Sequence, residues 1–251
     1  MRSPIASLAS LVVALSVAPA LAQQPPADTV AQVIRQKPRA GMDAQFEAGR
    51  KRHMAWHKAQ SDPWEWNVFE VTTGPDSGSY IVSTVGHQWA DYDTWNAKFG
   101  AGDTADSGLQ VAPFSEGSQV SYWTQLNSLS RLPPPADRSA MLTLTIYYVK
   151  PGHEDAFTGA IGKMNAALTA VKYPVHSIWY RLSNGGEVPA YAVITPRANW
   201  AAMSPPQSLR ASLEANLGKP AYDALAKEFF ATVNRVTSEM LQRRDDLGYR
   251  P

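Results

Sequence analysis

His53 and His57 lie four residues apart in a run that reads as helix, so both imidazoles project from one helical face. Arg50 stands one turn before them, Trp56 between them and Gln60 just after. An imidazole can take a proton from an acidic carbon or a phenol near neutral pH, and an arginine beside it can hold the resulting anion. The guanidinium also lowers the imidazole's pKa, which favours the neutral base. His53, His57 and Arg50 are therefore the candidate catalytic residues. Trp56, Gln60, Trp66, Tyr80, His87 and Arg35 are the candidate ligand-binding residues, with Trp64 as a further aromatic wall. Taken singly, each aromatic is better explained as core.

The same histidine pair has metal-ligand spacing, and His87, Glu65 or Glu70 would be the third ligand. Two features count against a metal. His53 lacks the neighbouring Glu of a zincin motif, and Arg50 would repel a cation. The expectation is therefore no metal and no cofactor, with a divalent metal, or a haem on one of the histidines, as the alternatives. The chain has no Gly-rich phosphate loop, no G-x-S-x-G elbow and no paired-carboxylate motif.

A helix from Met42 to Gln60 and the sheet beneath it must position these side chains. Met141 to Trp200 repeats the stretch that contains them, at an offset of 111 residues (Gly152 against Gly41). Phe157 falls on Phe46, Pro174 on Pro63, Gly185 on Gly74, Tyr191 on Tyr80 and Trp200 on Trp89, with no gap. In the second copy the helix His153 to Lys172 carries an apolar stripe. In the first copy Arg50, His53, His57 and Gln60 replace Ile161, Met164, Leu168 and Val171 of that stripe. Arg35 and Lys37 likewise stand where Ile146 and Tyr148 do. Burying an unpaired cation or imidazole costs several kcal/mol, so folding gains nothing from the exchange. A cleft beneath the first helix, lined by Arg50, His53, Trp56, His57 and Gln60, explains it. The alternative is a rotated helix, with Ala44, Ala48, Ala55 and Ala59 packed inward and the polar stripe in water.

Around that helix the first copy reads as strands Val30 to Lys37, Trp64 to Thr72 and Tyr80 to Gly86. Phe99 to Gln119, rich in Gly, Asp, Ser and Thr, reads as a long loop or lid, and Val120 to Leu132 closes the domain. The second copy reads as strand Leu142 to Tyr148, the helix, and strands Val175 to Leu182 and Ala190 to Pro196 about an Asn184-Gly185-Gly186 hairpin. A helix from Pro220 to Val236 and a short strand Thr237 to Arg243 end it. Strand, helix, strand, strand, helix, strand is the ferredoxin-like split βαβ order of an α+β protein. Two copies packed sheet to sheet would cover each other's bare faces. In Gly41 and Gly152, Phe46 and Phe157, Gly74 and Gly185, and Trp89 and Trp200, the chain resembles a tandem-fused member of the dimeric α/β-barrel superfamily. The resemblance implies an intramolecular α/β barrel with ligands held between helices and sheet. That superfamily includes cofactor-free monooxygenases, haem proteins, isomerases and members with no assigned activity.

Met1 to Ala22 has the form of a cleaved signal peptide, with Arg2, the apolar run Leu8 to Val17 and Ala20-Leu21-Ala22 at the cleavage end. The expectation is a periplasmic or secreted protein with no membrane attachment after cleavage. Removing those 22 residues from 251 leaves 229, and removing Arg2 leaves 22 basic residues against 22 acidic ones. That balance gives no electrostatic case for nucleic acid or an anionic membrane. The absence of cysteine excludes disulfides, thiolate metal sites and thiol nucleophiles. The expected organisation is repeat 1 over residues 23–132, a Pro-rich linker over 133–138 and repeat 2 over 139–251. The expected partner is a small aromatic or anionic ligand in repeat 1, turned over by an oxygenase or isomerase or simply carried. A protein with no pocket and a solvated polar stripe is the remaining reading.

Overall fold

The computed structural model describes residues 27–135 and 137–251, and the expected leader lies outside the described residues. The chain opens with strand β1 (Thr29–Pro38), helix α1 (Asp43–Ala59), β2 (Asn67–Val71) and β3 (Tyr80–His87). Helices α2 (Trp89–Trp95) and α3 (Ala101–Gln110) follow, joined by a π-helical turn at Asn96–Gly100, and then β4 (Ser115–Gln125). The remainder is β5 (Met141–Val149), α4 (Glu154–Ala170), β6 (Ile178–Asn184), β7 (Ala190–Arg197), α5 (Leu209–Leu217), α6 (Lys219–Thr232) and β8 (Val233–Arg243).

Two expectations from sequence fail here. The stretch expected as a loop or lid is largely helix and then strand. Its Gly, Asp, Ser and Thr content gives it poor helix propensity, but the buried Phe99 and Val111 anchor the two ends of α3 in the core and α3 lies close against α1, so packing overrides propensity. The last strand is also no short remnant. β8 starts at Val233 and runs 11 residues, through the β-branched Val236 and Thr237.

All eight strands pair antiparallel into one closed barrel, in the order β1-β3-β2-β8-β5-β7-β6-β4, with β4 returning to β1. β1 to β4 thus stand in the order 4-1-3-2, and β5 to β8 stand in that same order. Hydrogen-bonded seams, β2 to β8 and β4 to β6, join the two groups edge to edge rather than merely face to face. Closure leaves no free sheet edge.

Strand alternation divides the apolar side chains into three cores. Ile81, Leu142, Leu144, Ala192 and Leu241 point into the barrel. Phe46, Val82 and Trp95 pack between the sheet and α1 to α3. Phe157, Trp179 and Phe229 pack between the sheet and α4 to α6. On α1 the polar stripe faces inward: Arg50, His53 and His57 are buried, and Ala44, Ala48, Ala55 and Ala59 are exposed. The rotated-helix alternative therefore fails. Arg35 is a correction in the other direction. It points into the barrel, where Glu239 lies 2.7 Å and Asp76 3.2 Å from its guanidinium, so it does not line the space under α1. The alternation of β1 places Gln36 there instead, as the acceptor for Arg50.

Candidate functional site

Two helices at close range build the site. A Cβ on Gly49 of α1 would fall 1.9 Å from the Gln110 carbonyl oxygen at the end of α3, and one on Gly102 would fall 2.8 Å from the Trp56 ring. Glycine at both positions lets α3 lie directly on α1. Asp103 and Asp106, one turn apart on α3, then face His53 and His57.

The end of α1 supplies the next group. Ser61 takes a left-handed conformation (φ 52°). Its N–H donates to the Lys58 carbonyl, and the Asp62 N–H donates to the His57 carbonyl. This Schellman turn folds the chain back on the helix. It sets Asp62 Oδ2 2.7 Å from His57 Nδ1. Trp66 Nε1 also donates to Oδ2, at 2.9 Å, and Trp64 N and Trp95 Nε1 donate to Oδ1 at 3.0 and 2.9 Å. An acid with all four neighbours donating is a carboxylate, and its pKa lies below the ordinary value: burial pushes it up, but these hydrogen bonds more than offset that. Asp62 therefore holds a proton on His57 Nδ1 and turns Nε2 toward Asp103. His53 is held in the same way, its Nδ1 2.8 Å from Asp106 Oδ2.

Both Nε2 atoms then point to one spot. They are 3.3 Å apart, and each is 3.3 Å from Asp103 Oδ1. Burial by itself lowers the His57 pKa, but the hydrogen bonds with Asp103 and Asp62 leave it above the ordinary imidazole value. Burial pushes Asp103 up, and the two histidines more than reverse this, holding it far below the usual carboxylate range. Arg50, buried behind the cluster, has its pKa lowered to about 10 by desolvation, opposed by the charge of Asp103. Its guanidinium donates to Gln36, while its Nε is buried with no hydrogen-bond partner among the described residues.

The structure brings His53, His57, Arg50, Trp56 and Trp66 of the expected set into one region. Trp56 stacks on His53 with ring centroids 6.1 Å apart, and Trp66 lies 5.2 Å from His57. The other expected members are elsewhere. Gln60 is exposed at the helix end, because the Schellman turn directs the chain inward only after it. Tyr80 donates to Glu47 at 2.6 Å. His87 stacks on Trp64 at 3.8 Å, with its Nε2 held by Thr84. Neither Glu65 nor Glu70 serves as a third ligand. Glu65 pairs with Arg138 and Arg250, and Glu70 pairs with Arg244. Asp103 stands in that position instead, its Oδ1 3.3 Å from both Nε2 atoms. Asp62, Asp103 and Asp106 are what reading the sequence missed. The one available signal was the i, i+3 pair of acids on a stretch read as loop. A haem fits poorly, since two Nε2 atoms 3.3 Å apart leave neither one an open face for a porphyrin.

No protein-family model matches this chain, and no curated protein matches it by sequence. Solved structures match its shape. A monooxygenase-like protein from Lactobacillus acidophilus superposes with a TM-score of 0.56 at 11% identity, over 89% of this chain and 96% of its own. A chlorite dismutase from Candidatus Nitrospira defluvii gives 0.53 at 8%, over 87% and 92%. An anthrone oxidase-like protein gives 0.51 at 13%, over 86% and 91%. The fold is the dimeric α/β barrel. In this α/β barrel only one helix layer carries the polar cluster. Beneath α4, the places 111 residues after His53, His57 and Asp62 hold Met164, Leu168 and Tyr173, packed with Leu213 and Leu217 of α5.

Proposed function

We propose that the protein is an exported, small-molecule-binding α/β barrel, made of two ferredoxin-like halves in one chain, whose working centre is a divalent metal site formed by His53, His57 and Asp103. The triangle of donor atoms carries this reading. In a tetrahedral site with metal–nitrogen bonds of about 2.0–2.1 Å, ligand atoms stand about 3.3–3.4 Å apart. All three edges here are 3.3 Å. The rival occupant is a pair of protons. Charge-assisted hydrogen bonds to a carboxylate run at about 2.7–2.9 Å, and both edges to Asp103 exceed that. Charge points the same way. With neutral imidazoles, Asp62, Asp103, Asp106 and Arg50 leave the cluster two negative charges in excess, which one dication cancels. The carboxylate behind each histidine is the usual outer partner of a metal-bound imidazole.

Three protein ligands leave a coordination position open, as in catalytic rather than structural sites. Such a metal polarises a bound oxygen atom or lowers the pKa of a bound water. The cluster is most accessible at Asp103, whose side chain is 25% exposed while that of His57 is 1% exposed. Arg50 lies buried behind the cluster and offsets one of its carboxylates, and Trp56, stacked on His53, supplies an apolar wall. The cofactor-independent base reading is weaker, because His53 and Asp103 close off Nε2 of His57. Two histidines with one carboxylate also suit ferrous iron and oxygen chemistry. The names of the monooxygenase-like and anthrone oxidase-like neighbours accord with that second reading.

Metal content tests the site. Protein recovered from the compartment to which its own leader directs it should carry about one equivalent of zinc or iron. The metal-free protein should bind cobalt(II) with a tetrahedral absorption spectrum. Asp103→Asn should weaken cobalt binding by more than the roughly 10–100-fold typical of losing an outer partner. No stoichiometric metal in the native protein, together with no cobalt spectrum, would overturn the proposal.

A further inference from the structure

The barrel interior is a second place with chemistry of its own. Eight strands enclose a space that their own side chains just fill, or that holds one small ligand. Here small inward residues at mid-barrel, Ala31, Ser83, Ser121 and Ala192, leave a cavity of about 320 Å³. That lies at the small end of the range for ligand sites, about 300–1,000 Å³. Its walls are mainly aliphatic and aromatic, so water inside would find few of the partners it needs. The cavity is partly open to solvent, and an apolar guest would cover its apolar wall more favourably than water does.

The charged groups lining the cavity define the guest further. Arg35 is ion-paired, with Glu239 and with the more exposed Asp76. Arg243 is not. Its Nε donates to the Ser139 carbonyl and its Nη1 to Asn67 Oδ1, both at 3.1 Å, and its guanidinium lies over the Phe69 ring at 4.7 Å. No carboxylate lies within ion-pair distance of Arg243 among the described residues. Asp137, the one acid in the lining, is turned onto Ser139. An apolar cavity with one uncompensated guanidinium in its wall suits an amphiphile with a single negative charge. The planar fork of an arginine matches a carboxylate.

We infer that the barrel interior binds an apolar monocarboxylate, with its acid group on Arg243 and its hydrocarbon body among Leu142, Leu144 and Ile194. The site lies on the opposite face of the sheet from His53 and His57 and does not depend on a metal there. Isothermal titration with decanoate tests it, with decanol as the neutral probe and decyltrimethylammonium as the cationic one. Decanoate should bind at one site per chain, and the cationic probe should not bind. Arg243→Gln should weaken decanoate at least tenfold while leaving decanol unchanged. Ala192→Phe, which fills the cavity, should abolish binding of both without lowering the melting temperature. A His53→Ala, His57→Ala double variant should bind decanoate as the parent does, which separates this site from the metal centre. Absence of saturable decanoate binding would overturn the inference. So would decanoate binding indifferent to Ala192→Phe, or decanol binding as tightly as decanoate with no effect of Arg243→Gln.

Discussion

Asp62→Asn changes one atom and should remove the metal site while sparing the fold. Asp62 accepts from four donors: His57 Nδ1, Trp66 Nε1, Trp64 N and Trp95 Nε1. An asparagine keeps one acceptor oxygen and sets an NH2 group against the other two donors. If the NH2 faced Trp64 N and Trp95 Nε1, both donors would be stranded. If it faces His57 and Trp66, only Trp66 Nε1 is stranded, because His57 can move its proton to Nε2 and accept from the amide. The second orientation is cheaper by one buried donor. One stranded donor costs about 1–3 kcal/mol. At roughly 2–4 °C per kcal/mol for a chain of this size, the melting temperature should fall by about 2–12 °C. The same orientation places a proton at the centre of the His53, His57, Asp103 triangle. Metal affinity should therefore fall at least as far as the roughly 10–100-fold expected for an outer partner. A competition titration against a chromophoric zinc chelator measures the affinity, and a thermal melt in EDTA measures the stability. A variant that melts several degrees lower yet binds zinc within twofold of the parent would refute the tautomer argument.

Two further outcomes follow from the same contacts. Gly49→Ala places a methyl 1.9 Å from the Gln110 carbonyl oxygen, so α1 and α3 must separate. The expected loss is about 1–3 kcal/mol by urea denaturation, together with weaker metal binding, since Asp103 rides on α3. The acid limb of stability should depend on Glu47. Its hydrogen bond to Arg244, opposed by burial, holds its folded pKa below the ordinary 4.5. A depressed folded pKa means that the contribution is complete above the ordinary value and disappears as pH falls through the folded one. Glu47→Gln should thus flatten the pH dependence of the urea midpoint below about pH 4.5. An unchanged slope there would assign the acid limb to other carboxylates.

Part of this site was legible because helices are periodic. Arg50, His53 and His57 could be placed on one face from spacing alone, and comparison with Ile161, Met164 and Leu168 showed that face to be polar where a core was expected. The rest depends on geometry that one-dimensional spacing does not carry. Asp62 reaches His57 only because Ser61 adopts a left-handed turn that a non-glycine residue seldom takes. Asp103 and Asp106 lie on a segment whose composition argues against helix, and tertiary packing makes it one. Arg35 was misplaced for a different reason. Both faces of the barrel sheet are buried, so polarity gives no parity for β1, and an error of one residue exchanges the faces.

What most separates function from packing here is the other half of the barrel. α4 ends in the same turn as α1: Lys172 is left-handed, its N–H donates to Thr169, and Tyr173 N–H donates to Leu168. The backbone therefore solves the same problem twice. In the second solution Met164, Leu168, Tyr173, Leu213 and Leu217 close the seam with apolar contacts. In the first, two histidines, three carboxylates and an arginine occupy it, each needing a partner to offset desolvation. A buried polar network is seldom more stable than a well-packed apolar replacement of similar volume. The fold shows that such a replacement is available to this backbone. The polar version is thus the one that stability disfavours, which is what the proposed metal site would require.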